Sequence, residues 1–212
     1  MKGGSLAGPA LDRERLAERT RSVLHRGGPG NPDVLLVETD SGPVVVKDFA
    51  PRGRWVRRWW GPWSLRREAK AYERLSEMAA VPRLLGHLDE AALILEYRPG
   101  TFLSRSLADR LPDDFLAELE KSIDEMHRRG VVHLDLRHRS NILADRDGRP
   151  ILLDFASALC FDVSTRSGRW LVGWLGRLDH RALRKWRIRL ARVQASSGTG
   201  SSEGSRGARR PM

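Results

Sequence analysis

Within 24 residues the chain carries His133-Leu134-Asp135, Asn141 and Asp154-Phe155-Ala156, in the stretch VVHLDLRHRSNILADRDGRPILLDFASA. Two short apolar runs, Val131-Val132 and Ile151-Leu152-Leu153, each lead into an acid. Between them lie a basic loop, the Asn, the apolar pair Ile142-Leu143 and an Asp147-Gly148 turn. This is the order of a catalytic loop, a hairpin and a metal-binding turn. Phosphoryl transfer needs such a set: one carboxylate to orient the accepting hydroxyl, and an Asn with a second carboxylate to hold Mg²⁺ on the phosphates. Asp135 is the candidate for the first role, since a carboxylate within hydrogen-bond reach raises the nucleophilicity of a hydroxyl. Asn141 and Asp154 are the candidate metal ligands, Asp154 being a hard oxygen donor.

Other elements precede this set in order. Val44-Val45-Val46-Lys47 is a β-branched run ending in a Lys. Glu68 lies in LRREAKAYERL, a stretch of good helix formers. Leu93-Ile94-Leu95-Glu96-Tyr97 reads as a buried strand running into a connection. With the later motifs, these elements resemble the protein-kinase-like superfamily. The resemblance implies that Lys47 binds the α- and β-phosphates of ATP and that Glu68 pairs with it. It implies that Glu96 and Tyr97 lie at the hinge beside adenine. It also implies that His133 supports the loop rather than acting as a catalyst.

The implied fold class is α+β: a two-lobe kinase-like fold with a small antiparallel-sheet N-lobe and a truncated helical C-lobe. Only 58 residues follow Asp154, with no Ala-Pro-Glu element among them. That trimming is similar to RIO kinases and to bacterial lipopolysaccharide sugar kinases. Three departures from the family pattern stand out. Gly27, Gly28 and Gly30 sit where a nucleotide-covering loop belongs but do not form G-x-G-x-x-G. Asn141 stands one residue further from Asp135 than the motif has it, with Ser140 at the motif position. Its interval to Asp154 is the family's, so one extra residue in the loop accounts for the shift. Ala156 replaces the usual Gly and narrows the backbone choices of that turn.

The expected organisation is a flexible N-terminus at 1–10, a kinase-like domain at 11–193 divided near 98/99, and a disordered Ser/Gly/Arg-rich tail at 194–212. Leu11 to Leu24 reads as a helix, and Arg52 to Ser64 as an insert before the Glu68 helix at Leu65 to Glu77. Leu111 to Arg129 reads as a long amphipathic helix ended by Gly130. Beyond Asp154, Leu171, Trp174, Leu175 and Leu178 form one apolar stripe, and Leu183, Trp186, Leu190 and Val193 another. Asp179 reads as a break between two short helices. Trp170, Trp174 and Trp186 fit a helical core better than membrane anchors.

The net charge is +11, with nine Arg or Lys against the single acid Asp179 between residues 166 and 192. Six arginines from Arg52 to Arg67 surround Trp55, Trp59, Trp60 and Trp63. Such surfaces favour anionic partners, membrane or RNA. The lone Cys160 excludes an internal disulfide and reads as a buried structural thiol. The opening residues do not read as a secretory leader, and no apolar run is long enough to span a bilayer. The expectation is a cytoplasmic protein, peripheral on the inner membrane face where it meets lipid.

The leading functional expectation is an ATP- and Mg²⁺-dependent phosphotransferase acting on a hydroxyl. Its acceptor is a protein Ser/Thr, as in RIO-like kinases, or a lipid-linked sugar, as in lipopolysaccharide kinases. The alternative is a pseudokinase or nucleotide-sensing module that holds membrane or RNA on its basic face. The irregular Gly loop, the extra loop residue and Ala156 favour that alternative. The intact Lys47, Glu68, Asp135, Asn141 and Asp154 oppose it.

Overall fold

The computed structural model describes residues 11–199, with side chains through residue 191. The expected flexible N-terminus at 1–10, and the tail beyond 199, lie outside the described residues. The chain is a mixed α+β structure built on an antiparallel sheet and flanking helices.

Helix α1 (Arg13–Arg19) starts at Asp12, whose carboxylate accepts the Arg15 N–H at 2.8 Å. Arg13 ties the helix to the sheet through Asp48 and Asp89, at 2.7 and 2.5 Å. The expected helix to Leu24 stops short. Thr20 turns its hydroxyl onto the Leu16 carbonyl at 2.6 Å, and Thr20–His25 becomes strand β1. Pairing with β2 (Asp33–Thr39) overrides the local helical pattern. Strand β3 (Gly42–Asp48) follows a two-residue turn, with Thr39 opposite Gly42. Gly42 has φ +108°, a value that suits only Gly.

The segment expected as an insert is helical. Val56–Trp60 forms a single π-helical turn that leads directly into α2 (Gly61–Arg74). Gly61 packs so closely on Phe49 that a Cβ there would meet the ring at 2.8 Å. Strands β4 (Leu84–Asp89) and β5 (Ala92–Glu96) complete a five-stranded antiparallel sheet of order β1-β2-β3-β5-β4. One sheet face packs on α1 through Leu16, Val37, Val44, Val46 and Ile94. A larger core joins β5 and α2 to the rest of the chain through Leu93, Leu65, Tyr72, Leu119, Ile123 and Phe155.

The remaining elements are short strands around two long helices. Strand β6 (Thr101–Phe102) precedes α3 (Phe115–Arg128), whose Phe115, Leu119, Ile123 and Met126 are buried. Gly130 follows at φ +77°, as the C′ position of a helix favours. Strand β7 (Val131–Val132) pairs with β10 (Leu159–Cys160), while β8 (Ile142–Ala144) pairs with β6 and with β9 (Pro150–Leu152). Cys160 is half-buried, and burial pushes its thiol up from the ordinary value.

Helix α4 runs unbroken from Arg166 to Thr199, so Asp179 is not a break. Its buried face is Gly168, Val172, Gly176, Asp179, Leu183, Trp186 and Leu190. The stripe expected from Leu171, Trp174, Leu175 and Leu178 is therefore displaced. Trp170, Trp174 and Leu178 are exposed, and only Trp186 among the three tryptophans joins the core. The physical reason lies in close packing: Gly176 lies against His127 of α3, where a Cβ would meet the ring at 2.7 Å. Small residues mark that buried face, and a hydrophobic pattern does not register them. Among the described residues, no helix is long and apolar enough to cross a membrane.

Candidate functional site

Lys47 sits near the end of β3, between Val34 on β2 and Leu93 on β5. Its position in a central strand buries the side chain and aims it at α2. Nζ lies 2.5 Å from Glu68 Oε1 and 2.6 Å from Asp154 Oδ1. Burial alone would lower the Lys47 pKa, but the charges of Glu68 and Asp154 outweigh it and hold the ammonium above its ordinary value. Burial pushes the Glu68 carboxyl up, against the pull of Lys47. Asp154 has its side chain half-exposed, and Lys47 holds it below the usual carboxylate range. One cation is thus clamped by a buried acid and an accessible one.

Asp135 and Asn141 meet across the basic loop. Asn141 Nδ2 donates to the Asp135 carbonyl at 2.9 Å and to Asp135 Oδ2 at 3.1 Å. Asn141 is buried while Ser140 is exposed. Ser140 does donate to Asn141 Oδ1, at 3.2 Å. Arg137 and His138 approach Asp135 Oδ1 at 3.6 and 3.5 Å. The Leu153 N–H donates to the Asn141 carbonyl at 2.9 Å, joining the segment that holds Asn141 to the one that ends in Asp154.

His133 is fully buried beneath this loop. Its Nδ1 accepts the Asp135 N–H at 3.3 Å, which leaves Nε2 to donate to the Leu153 carbonyl at 2.9 Å. Burial lowers its pKa and keeps the ring neutral. Phe155 packs between His133 and Tyr72, tilted 50° to the first with centroids 4.8 Å apart and edge-on to the second at 5.0 Å. Tyr72 lies one turn beyond Glu68 on α2, so this aromatic column links the loop, the Asp154 turn and the helix that carries Glu68.

Glu96 and Tyr97 stand apart from this group. Glu96 is opposite Val44, three residues from the Lys47–Leu93 pair and therefore about 10 Å along the sheet. Its carboxylate accepts the Arg83 N–H at 3.0 Å. The structure brings Lys47, Glu68 and Asp154 together, and Asp135 with Asn141, but neither group contacts Glu96 or Tyr97 through these bonds.

Several supporting residues were not visible as such in the sequence. Asp179 is buried and accepts the His133 N–H at 2.9 Å, the Leu134 N–H at 2.8 Å and a bond from His127 Nε2 at 3.0 Å. Leu134 has φ +69°, a conformation unusual for a non-Gly residue. Trp186 Nε1 donates to the Leu136 carbonyl at 3.0 Å. Arg67 reaches from α2 to the Ala156 carbonyl. The signal for Asp179 was its isolation: the one acid in a basic segment needs a reason, and a buried hydrogen-bonding role supplies it. Tyr72 and Trp186 offered no signal beyond apolar periodicity.

The residues fit a Mg²⁺ ion in chemical type. Asp154 is half-exposed and anionic, and Asn141 turns its amide nitrogen to Asp135, so that its oxygen, which already accepts the Ser140 hydroxyl, keeps a second lone pair for a metal. Mg²⁺ takes few protein oxygens and fills its shell with water and phosphate.

No family model matches the chain. Over 151 residues it is 33% identical to the probable SapB synthase of Streptomyces coelicolor, covering 60% of this chain and 16% of that protein. It is 28% identical over 157 residues to serine/threonine-protein kinase C of Synechocystis sp., covering 65% of this chain and 28% of that one. A shorter likeness, 41% over 75 residues, joins it to human myotonin-protein kinase, covering 32% of this chain and 12% of that one. The chain therefore spans much less than two thirds of these relatives. It is distantly similar, over part of its length, to proteins named as kinases.

Proposed function

We propose that the protein is an ATP- and Mg²⁺-dependent phosphotransferase that acts on a hydroxyl acceptor. The observation that carries this reading is Lys47 clamped between buried Glu68 and accessible Asp154. A cation fixed in that way suits the phosphates of a nucleotide, and the second acid suits the metal that accompanies them. In this reading the five-stranded sheet with α2 forms a small lobe and the helical remainder a trimmed second lobe. ATP lies between them, with adenine beside Glu96 and Tyr97. Bound Mg²⁺, held by Asn141 and Asp154, would neutralise charge on the phosphates. Asp135 accepts a hydrogen bond from the acceptor hydroxyl and takes its proton. Asn141 holds the Asp135 carboxylate, and His133 holds the loop from beneath.

The acceptor is a protein Ser/Thr in a RIO-like enzyme or a lipid-linked sugar in a lipopolysaccharide-type one. Arg137 and His138 beside Asp135 support an acceptor that carries negative charge. The test is radiolabelled ATP with the protein against membrane lipid extract and against soluble protein. Label transferred to either fraction, and lost with Asp135→Ala, supports the reading. ATP binding without transfer to any acceptor would refute it.

A second reading, a nucleotide-sensing module without catalysis, is favoured by one observation. The Gly27 N–H is spent on Asp33 at 2.9 Å, and Gly27 packs against the Pro32 carbonyl. That amide is therefore not directed at a phosphate. Thermal-shift titration with ATP separates the two: stabilisation that ignores Mg²⁺, with no turnover, supports the module.

A further inference from the structure

We propose that the face formed by Trp55, Trp59, Trp60 and Trp63 is a docking surface for an anionic lipid bilayer. It stands on exposure first. The four rings are 67%, 65%, 40% and 49% exposed. Together with Arg58, Pro62, Arg66 and a single acid, Glu90, they line a concavity of about 540 Å³. Contiguous exposed aromatic surface of this kind costs a water-soluble chain and marks an interaction site.

The backbone arranges this face deliberately. Trp55, Trp59 and Trp63 recur every four residues, along the side of the helix opposite Leu65, Glu68 and Tyr72. The π-helical turn at Val56–Trp60 widens the helix at this point, a feature that concentrates at functional sites. Trp60 is pinned by its Nε1–H bond to the Gly30 carbonyl at 3.0 Å.

Charge selects the partner. Residues 49–67 contain six arginines and no acid. Arg52 is committed to Asp33 and Arg67 to the Ala156 carbonyl. Arg54, Arg57, Arg58 and Arg66 are exposed, and no carboxylate of the described residues forms an ion pair with them. Guanidinium groups beside indole rings match the headgroup region of an anionic bilayer, where Trp settles and Arg meets phosphate.

Three of the four rings, Trp59, Trp60 and Trp63, have faces already engaged and are poorly placed to stack on nucleic-acid bases. Trp60 and Trp63 pack on each other at 5.1 Å between centroids. Arg67 lies over Trp63 at 4.8 Å and Arg58 over Trp59 at 6.0 Å. Base stacking needs open ring faces, whereas insertion into headgroups needs only exposed edges.

The proposal does not rest on catalysis, so a chain that bound vesicles and transferred no phosphate would keep it. The test is co-sedimentation of the full chain with vesicles of phosphatidylcholine alone and of equimolar phosphatidylcholine and phosphatidylglycerol, at low and high sodium chloride. The combined Trp55→Ala, Trp59→Ala, Trp63→Ala variant is compared with Trp170→Ala, Trp174→Ala. All five positions are exposed, and thermal melting checks that both variants fold. The parent should bind the anionic vesicles, with a blue-shifted Trp emission. The first variant should lose about tenfold or more in partitioning, and the second should bind as the parent does. Equal binding by the first variant overturns the assignment of the surface. Binding to single-stranded RNA, with none to either vesicle, overturns the choice of partner.

Discussion

The Asp179 carboxylate on α4 accepts the backbone N–H of Leu134 at 2.8 Å, across 45 residues of sequence. Leu134 is the residue between His133 and Asp135, and it sits at φ +69°. A left-handed non-Gly residue persists when its surroundings over-determine it. Here the second carboxylate oxygen holds the neighbouring His133 N–H.

Asp179→Ala should therefore damage both stability and activity. A buried N–H donor and a part-buried one lose their acceptor, at a cost of about 2 kcal/mol. Urea denaturation measures the first effect. Phosphoryl transfer should fall with ATP affinity held, because the residue supports the loop and not the nucleotide. A variant as stable and as active as the parent would show that Leu134 keeps its conformation unaided.

Asp135→Ala should lower kcat about a hundredfold or more, as expected when a general base is lost. ATP affinity should stay near the parent value, since Asp135 makes none of the Lys47 contacts. Single-turnover kinetics beside a nucleotide-binding titration separate the two quantities.

Asn141→Ala should weaken the response to Mg²⁺, while Ser140→Ala should change little. Asn141 is buried against Asp135 and Ser140 is exposed, which is the basis of the ranking. Asp154→Asn should do more harm than Asn141→Ala, because it also removes a partner of Lys47. Activity titrated against Mg²⁺ checks the order, and a larger loss at Ser140 would reverse the loop register.

Stability should decline as the pH falls below 6.5, the ordinary value for His, because buried His133 has a lower folded-state pKa. Between the folded value and 6.5 the unfolded chain binds more protons, so unfolding is favoured by acid. The contribution is fully present above 6.5 and shrinks by at most about 1.4 kcal/mol per pH unit below it. Asp154, held low by Lys47, adds a loss in the same direction only as the pH approaches the carboxylate range. Urea denaturation at successive pH values should give a shallower slope for His133→Phe than for the parent, despite its lower stability.

The parts legible in the sequence were those with a local signature. The β-branched run to Lys47, the turn at Gly42, the amphipathic face of α3 and its Gly130 ending were read from short patterns that the structure reproduces. The pairing of Lys47 with Glu68 came from a resemblance, and their Nζ–Oε1 distance is 2.5 Å. What stayed hidden depends on tertiary packing. Val23 and Leu24 suit a helix until β2 offers hydrogen bonds. Arg52 to Ser64 looks irregular because its tryptophans face outward, so no apolar face marks it as a helix. The buried side of α4 runs over Gly168, Gly176 and Asp179, which hydropathy counts as solvent-facing. The role of Asp179 needs two backbone amides from another loop, and no spacing rule announces them.

Asp179 and the Trp186–Leu136 bond also bear on the order in which a nascent chain becomes competent. Every candidate site side chain has been synthesised by Asp154, yet the loop around Asp135 is held by residues that follow. A chain still growing through α4 lacks the carboxylate that fixes Leu134 and the indole that fixes Leu136. The loop geometry is thus finished only when the long helix folds back onto α3. A product truncated within α4 ahead of Asp179 would carry all the site residues and still hold that loop unset.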